Sequence, residues 1–413
     1  MNAALKTSEA IATAVAALGP GPLSADGIAR HVAPLFSRVL ERNARQIYLA
    51  NHSLGRPLDA TAGDVAEAVM LWQTYMGGSW DGWADEMAAY RSRLAKLLGA
   101  PRSDCIVPKT NAGQGLRAIL NSYDTVPRVV ATRGEFDSID VILREYARRG
   151  RITLRLLEAR DEGLFVADDL RSTVREGADL VVVSEVLFNS GQVLPELPAL
   201  IAHAHAGGAK VLVDVYHSLG ALPVDVTALD ADFAIGGAYK YLRGGPGACF
   251  LYLHPRHLDG SLSTLDVGWF AKSEPFAYQR PEPPAWGAGG DAFLESTPPV
   301  LTWYQARAGQ IFTLAIGVAR LRTYVQAQQR RLVDLLAAQE VSAVGGGDDR
   351  GAFCVVSFEA MEKGTAQHCA RAIMERGVAC DARGFWLRLC PDLLTTDDEL
   401  VRAASIVAEV VRQ

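Results

Sequence analysis

The sequence predicts an α/β protein with a large domain, built on a mainly parallel seven-stranded sheet between layers of helices, and a small α+β domain. Two observations predict this fold. Seven short apolar runs lie between residues 105 and 253, with helical stretches between most of them, and such alternation is typical of a parallel sheet covered on both faces. A chain of 413 residues is also long enough to form two well-packed cores.

The first predicted element is an N-terminal helix. Residues 10–18 are apolar, but Glu9 precedes them and Lys6 is the only basic residue before them. A signal peptide carries a basic region at that position, so we interpret the segment as an amphipathic helix instead.

Three further helices are predicted before the first strand. Apolar residues recur at helical spacing over 24–46, where Ser24 is a suitable N-cap. The next two helices are predicted over 66–76 and 83–99. Gly99 ends the last of them, because glycine readily adopts the left-handed conformation that closes a helix.

The strands and helices of the sheet follow in alternation. The predicted strands are CIVP (105–108), RVVAT (128–132), ITLRLL (152–157), LVVVSEV (180–186), KVLVDV (210–215), FAIGG (233–237) and ACFLYL (248–253). The clearest helices between them are predicted over 113–123, 138–150 and 197–208.

We divide the chain into an N-terminal helical segment over 1–59 that accompanies the small domain, a large domain over 60–305 and a small α+β domain over 306–413. Residues 254–300 are rich in proline, glycine and tryptophan and lack periodicity, so a functional excursion and a domain junction both remain open for them. Residues 302–339 then predict one long helical region.

Composition excludes several classes of protein. The net charge of −6 argues against nucleic acid as a partner, since binding phosphates requires a basic surface. No apolar run approaches the roughly 18 residues that span a membrane. The six cysteines form no C-x-x-C pair, which favours reduced thiols in a cytoplasmic protein over a disulfide framework or a metal site.

Polar residues follow two of the predicted strands. Asp214 and His217 end the strand over 210–215, and Lys240 follows the next strand, twenty-six residues after Asp214. Ligands of open α/β sheets bind outside the carboxyl ends of the strands. A buried carboxylate there needs a cationic partner, and a protonated pyridine nitrogen is one. The arrangement suits pyridoxal 5′-phosphate (PLP), whose aldehyde forms an imine with a lysine while an aspartate keeps the ring nitrogen protonated.

Each of these residues also has a plainer interpretation when taken alone. Lys240 could be a solvated loop charge, Asp214 a helix N-cap and His217 a buried histidine with satisfied hydrogen bonds. The glycine-containing turn that opens the helix near residue 112 suits a phosphate, but it could equally be an ordinary capped helix. Phe136 could stack on a planar cofactor or belong to the core. The combination in order favours the cofactor.

Motifs along most of the chain resemble those of the kynureninase family, PLP enzymes of the fold-type-I, class V aminotransferase superfamily. The resemblance runs from about residue 47 to the C-terminus. Its motifs here are IYLANHSLGRP (47–57), LFNSGQ (187–192), DVYH (214–217), DFAIGGAYKYLRGGPG (232–247), VGWF (267–270), STPPV (296–300) and GVACDARGFWLRLCP (377–391).

The resemblance implies a PLP-dependent transferase fold of type I and a role for each matched residue. Lys240 would form the Schiff base, Asp214 would contact the pyridinium nitrogen, and Tyr239 would touch the phosphate and relay a proton. These three would be the catalytic residues. The cofactor would also be held by His217, Phe136, Ala112, Gly113, Trp269 and Thr297, with Trp269 reaching it from the second subunit of a homodimer. Arg388 would bind the substrate α-carboxylate unless it forms a surface ion pair, and the other implied substrate contacts are Asn51, Ser53 and Asn189.

The departures from the family pattern concern the substrate side. Thr297 replaces an asparagine, and a histidine expected near 77–79 is absent. His52 replaces the asparagine of the GNSLG element, and the APVPLY stretch is CPDLLTT (390–396). The resemblance still makes hydrolysis of L-kynurenine or a related γ-keto amino acid the leading expectation, and the departures motivate an alternative. An aminotransferase, β-lyase or epimerase with a non-aryl substrate is the alternative, and a binding protein without catalysis is a third, disfavoured by the intact Lys240.

Overall fold

The computed structural model describes residues 3–412. Its α-helices are α1 (Ala3–Ala17), α2 (Ala25–Gly27), α3 (Ser37–Arg42), α4 (Ala60–Tyr75), α5 (Ser79–Leu98), α6 (Ala112–Leu120), α7 (Asp137–Arg148), α8 (Ala167–Arg175), α9 (Leu197–Ala206), α10 (Leu301–Ile316), α11 (Val318–Ala337), α12 (Thr365–Glu375) and α13 (Asp397–Val411). Its strands are β1 (Ile47–Tyr48), β2 (Ile106–Lys109), β3 (Arg128–Thr132), β4 (Thr153–Leu157), β5 (Leu180–Ser184), β6 (Lys210–Asp214), β7 (Phe233–Gly237), β8 (Cys249–Leu253), β9 (Cys354–Ser357), β10 (Val378–Ala379), β11 (Asp381–Arg383) and β12 (Trp386–Leu389).

The large sheet has seven strands in the order β2-β8-β7-β6-β5-β3-β4. Neighbours from β7 to β4 are parallel, whereas β8 runs antiparallel to both β2 and β7. Successive strand residues point to opposite faces, so Val181 and Val183 lie in one apolar core while Leu180 and Val182 lie in the other. The predicted α/β class and mainly parallel seven-stranded sheet are confirmed.

A smaller antiparallel sheet, in the order β11-β12-β9, belongs to the C-terminal part. A separate apolar core joins it to α11, α12 and α13. The N-terminal segment reaches this region through β1, which pairs with β10 in parallel, while α1 packs against α4 and α10. The predicted boundary at 305/306 falls within α10, so we propose Gly317, between α10 and α11, as the better division of the domains.

Two long predicted helices are interrupted. Ser24 caps a helix as expected, its Oγ accepting from the N–H of Gly27 at 3.1 Å. The single helix over 24–46 was wrong, however, because short π and 3₁₀ turns separate α2 from α3 around Pro34, which has no N–H to donate. The helical region over 302–339 is likewise two helices, which meet at Gly317 with a φ of 86°.

All six cysteines lie within the described residues, and each is a buried free thiol. Among residues 3–412, no helix combines the length and the apolar character needed to cross a membrane.

Candidate active site

A cavity of about 350 Å³ opens at the carboxyl ends of the parallel strands. Its wall includes Ser184 and Asp214, the last residues of β5 and β6, and the turn after β7 that carries Tyr239 and Lys240. Ala112, the first residue of α6, closes one end. The strand order therefore brings together groups that lie up to 128 residues apart in the chain.

Lys240 is buried at the centre of this wall. Its Nζ donates to Nε2 of His217, with the two atoms 2.6 Å apart. Burial lowers the pKa of Lys240, although the nearby Asp214 carboxylate opposes that shift. Burial, followed by the positive charges of Lys240 and Arg388, lowers the pKa of His217, so its ring is neutral and free to accept. The site thus holds an amine that can lose its proton near neutral pH.

Asp214 ends β6 with its carboxylate inside the protein. The Oδ1 atom accepts from the backbone N–H of Tyr216 at 2.8 Å. Burial raises the pKa of Asp214, and both that hydrogen bond and the charge of Lys240 act against the rise. A carboxylate in such surroundings is stabilised by a cation or an N–H donor placed beside it.

The N-terminus of α6 forms the polar end of the cavity. The Asn111 side chain caps the helix, its Oδ1 accepting from the N–H of Gln114 at 3.0 Å. The first N–H groups of a helix have no acceptor within the helix, which leaves those of Ala112 and Gly113 as donors for an anion. Together with the helix dipole, this end suits a phosphate.

Aromatic rings form the remaining walls. The ring centroids of Phe136 and Tyr239 lie 5.7 Å and 5.5 Å from Nζ of Lys240. Phe136 meets Phe188 edge to face at 5.6 Å, and Tyr216 lies 5.7 Å from Tyr239. An amine, a buried carboxylate, an anion-binding helix end and flat apolar walls therefore surround one space. These are the groups that PLP requires, so the residues present fit that cofactor.

Arg388 lies outside the cavity wall but is buried, so it is not a surface ion pair. Its Nε and Nη2 donate to the Asp381 carboxylate at 2.8 Å and 2.6 Å, and Nη1 donates to the carbonyl of Phe188. Arginine carries five N–H donors, and within residues 3–412 these three contacts leave two of them free. A substrate carboxylate can use both.

Asp381 also binds His52, whose Nε2 lies 2.8 Å from Oδ1. Burial lowers the pKa of His52 to about 4, and the charge of Arg388 adds to that effect. The two partners His52 and Arg388 hold the pKa of Asp381 well below its usual range. Asp381 therefore remains an anion that orients Arg388.

The other predicted substrate contacts are not in the cavity wall. The Asn51 amide donates to the carbonyl of Cys390 at 2.9 Å, Ser53 is exposed, and Oδ1 of Asn189 accepts from the backbone of Ser190 at 2.8 Å. Their roles toward a substrate remain predictions.

Trp269 and Thr297 lie together and outside the wall of the cavity that Lys240 lines. The indole N–H of Trp269 donates to Oγ1 of Thr297 at 3.3 Å. Trp269 also contacts Phe270 and Phe276 edge to face, and Trp80 joins the same aromatic cluster. Neither residue contributes to the cavity in its own chain, and their role toward the cofactor of a second subunit remains a prediction.

Sequence reasoning missed two polar groups beside the site. Ser184 lines the cavity and donates to Oε2 of Glu135 at 2.6 Å, and Thr132 donates to the other oxygen. Burial raises the pKa of Glu135 to about 7. The position of Ser184 at the end of a strand was a usable signal, since it is the same signal that pointed to Asp214. Asp381 was missed as the partner of Arg388, although the two residues face each other across the short hairpin of β11 and β12.

Fold and site together define a PLP-dependent enzyme of fold type I. The family model for aminotransferase class V matches residues 81–385, and the chain belongs to that family. It is 30% identical to a kynureninase of Pseudomonas fluorescens over 88% of this chain and 89% of the relative. It is 24% identical to the uncharacterized aminotransferase YcbU of Bacillus subtilis, covering 86% of this chain and 91% of the relative.

A solved structure has the same fold. The cysteine desulfurase of Thermococcus onnurineus superposes with a TM-score of 0.77 at 17% identity, and the match covers 91% of this chain and 98% of that one. This likeness supports the fold-type-I architecture.

Proposed function

We propose that the protein hydrolyses the Cβ–Cγ bond of an α-amino acid that carries a γ-carbonyl group, as L-kynurenine does, giving L-alanine and a carboxylic acid. The observation that carries the proposal is the buried Lys240 amine, bound to His217 and facing the same cavity as Asp214. The similarity to the Pseudomonas fluorescens kynureninase supports this reaction over others of the family.

The residues around Lys240 prepare its amine for reaction. PLP, when bound, supplies an electron sink for the electrons released at the α-carbon of the substrate. His217 accepts a hydrogen bond from Lys240 and fixes the direction of its lone pair, while burial favours the neutral amine. Asp214 provides a buried carboxylate for a pyridinium N–H, and Ala112 and Gly113 provide backbone donors for a phosphate.

The substrate ends would be held by different groups. Arg388, oriented by Asp381, has two N–H donors left for the α-carboxylate, which is the bidentate geometry that arginine favours. Tyr239 lines the cavity beside Lys240, and burial raises the pKa of its hydroxyl. A hydroxyl that keeps its proton can donate it to Cβ as the bond to Cγ breaks, while the oxygen of water stays with the acid.

We also propose that the active protein is a cytoplasmic homodimer with shared sites. Large apolar side chains are exposed at the end of α4 and just beyond it, as dimer contacts require: Met70, Trp72, Tyr75 and Met76. The Trp269–Thr297 pair, which lies outside the cavity of its own chain, would complete the site of the second subunit. Sedimentation equilibrium tests this, since a monomer at micromolar concentration would contradict it.

A second function stays open because of the substrate side. Thr297 is exposed, and the turn after α4 offers Gly77 and Gly78 where the resemblance expects a histidine. A site that recognises a polar aryl group needs polar side chains that bind it. Their loss reduces the discrimination between aryl and other substrates. An aminotransferase, β-lyase or epimerase with a non-aryl substrate is therefore the alternative, and the similarity to the YcbU aminotransferase agrees with it.

One experiment distinguishes the two. The purified holoenzyme is mixed with L-kynurenine, and the loss of kynurenine absorbance is followed together with L-alanine released. A panel of amino acids is then tested for pyruvate release and for conversion of PLP to pyridoxamine phosphate. Turnover of kynurenine supports the hydrolase. No turnover of kynurenine, together with pyruvate release or pyridoxamine phosphate formation from an amino acid of the panel, supports the alternative.

A further inference from the structure

The turn that carries Lys240 ends in an unusual residue. Arg243 is buried and has a φ of 56°, in the left-handed region that side chains other than glycine rarely adopt. Its backbone N–H donates to the carbonyl of Lys240 at 3.1 Å. A conformation of this kind persists only where surrounding contacts hold it, and such residues concentrate at functional sites.

The contacts that hold Arg243 come from its guanidinium. Nη1 donates to the carbonyl of Tyr241 at 2.6 Å, and Nη2 lies 3.4 Å from Oδ2 of Asp392. Asp392 is itself buried and is bound on its other oxygen by Arg56.

The backbone of segment 49–56 connects the turn that carries Lys240 with the residues that follow β12. The N–H of Gly55 donates to the carbonyl of Tyr239 at 2.8 Å, and the carbonyl of Leu49 accepts from the N–H of Cys390 at 2.7 Å. Gly55 also lies so close to the lysine turn that a Cβ there would stand 1.9 Å from the carbonyl oxygen of Lys240. The segment therefore lies between the lysine turn and the residues that follow β12.

β12 contains Arg388, the residue we assign to the substrate carboxylate. Lys240 lies in the turn after β7 of the large sheet, whereas Arg388 lies in a strand of the small sheet, so no single element sets their separation. An α-amino acid presents its nitrogen and its carboxylate at a fixed separation, and a misplacement of about 1 Å can cost roughly 100-fold in rate.

We propose that Asp392 and Arg243 are positioning residues that, with segment 49–56, hold Lys240 and Arg388 at the spacing of an α-amino acid. The proposal rests on the proposed amino-acid function of the site. The ion pair between Arg56 and Asp392 fixes the segment after β12. Arg243 also contacts Asp392, and through this contact the same segment is connected to the turn that carries Lys240. Neither residue lines the cavity, so their effect on a ligand passes through the two residues they position.

The test compares a ligand that has a carboxylate with one that lacks it. Wild-type holoenzyme and the Arg243→Gly, Asp392→Asn and Asp397→Asn variants are titrated with L-alanine and with ethylamine. The change in the visible absorbance of bound PLP gives an apparent dissociation constant for each. Asp397 forms an exposed pair with Arg331 in the same part of the chain and serves as the matched control. Thermal unfolding midpoints are measured alongside.

Wild-type protein and the Asp397→Asn control should prefer L-alanine, because only L-alanine can use Arg388. We expect Arg243→Gly to lose about 10-fold to 100-fold of that preference while ethylamine binding stays near wild type. Glycine accepts a φ of 56° without strain, and the Arg56–Asp392 pair remains, so this variant should fold. If the Asp392→Asn variant does not fold, the Arg243→Gly variant by itself tests the positioning role.

Two results would overturn the proposal on its own. Arg243→Gly could keep the full preference for L-alanine, or it could lose L-alanine and ethylamine binding in parallel with its unfolding midpoint, as a purely structural role requires. A wild-type protein without any preference would instead contradict the amino-acid function itself, and the positioning role with it.

Discussion

The Nζ atom of Lys240 donates to Nε2 of His217 across 2.6 Å, and both side chains are buried beside the Asp214 carboxylate. The charge of Lys240 affects the pKa of both neighbours. The lysine charge lowers the pKa of His217, the carboxylate opposes the fall in the pKa of Lys240, and burial is the largest cause of all three shifts. The consequence is an amine held in one direction and close to losing its proton at neutral pH.

Replacing Lys240 by alanine should abolish both the absorbance band of the imine with PLP and all turnover, since no other amine lines the cavity among the described residues. Absorbance spectra of the purified variant measure this. Lys210→Ala is the matched control, because Lys210 lies at the opposite end of β6 against the ring of Tyr123. A Lys240→Ala protein that retains the wild-type spectrum would assign the cofactor to another residue.

Asp214→Asn should lower kcat by about 100-fold or more, because the amide no longer stabilises a protonated ring nitrogen by its charge. Asn can still accept the N–H of Tyr216 that Asp214 now accepts at 2.8 Å, so the fold should be retained. Steady-state kinetics with an unchanged circular dichroism spectrum test this. An Asn variant with wild-type kcat would show that the charge of Asp214 is not needed.

Arg388→Lys should raise the KM for the amino-acid substrate by about 10-fold to 100-fold. Lysine keeps the charge but cannot bind Asp381 and a carboxylate at the same time with paired N–H donors. The measurement is the KM and kcat of the variant beside Arg376→Lys, whose arginine forms an exposed pair with Glu409. Equal KM values for the two variants would show that Arg388 does not bind the substrate carboxylate.

His52 should make the protein less stable in acid. Its pKa in the folded protein is about 4, against an ordinary value of 6.5. Between these values the unfolded chain binds a proton that the folded chain does not, so stability rises with pH across this window and is lost as the pH falls. The loss from this group amounts to about 3 kcal/mol.

His52→Asn should therefore flatten the dependence of the unfolding free energy on pH between 6.5 and 4. Urea unfolding at several pH values measures it, with the exposed His368→Asn as the control that keeps the wild-type slope. A His52→Asn protein with the wild-type slope would place the acid sensitivity elsewhere, for example at the buried His217.

Arg307→Gln should destabilise the helical layer formed by α4, α5 and α10. The buried guanidinium of Arg307 binds Glu86 at 2.6 Å, Glu67 at 2.5 Å and Asp64 at 3.3 Å. Its removal takes away the cation paired with Asp64 and Glu67, whereas Glu86 keeps its pair with Arg93. Breaking a buried ion pair costs about 3–5 kcal/mol. Arg331→Gln, in an exposed pair with Asp397, should cost less than about 1 kcal/mol. Urea unfolding that gives equal losses would contradict this.

Most strands were predictable because their signal is local. RVVAT and FAIGG became β3 and β7 with the predicted bounds, since a buried parallel strand is a continuous apolar run wherever it lies in the chain. Helix interruptions were harder to predict. The helical spacing of apolar residues continues through Pro34 and Gly317, whereas the α-helix itself is interrupted there. The spacing of apolar residues indicates which face of a helix is buried, but it does not indicate whether every backbone N–H has an acceptor.

The sequence by itself determined the chemistry of this protein. Asp214 and Lys240 stand at the ends of two apolar strands, and in a parallel sheet such ends meet at one edge whatever the rest of the chain does. Only the tertiary structure decided what surrounds them. It joined His52 to Asp381, the partner of Arg388, and it tied Arg243 to Asp392. The pairs His52–Asp381 and Arg243–Asp392 connect segments far apart in sequence. They form because polar groups buried together must satisfy one another, a constraint that no local pattern records.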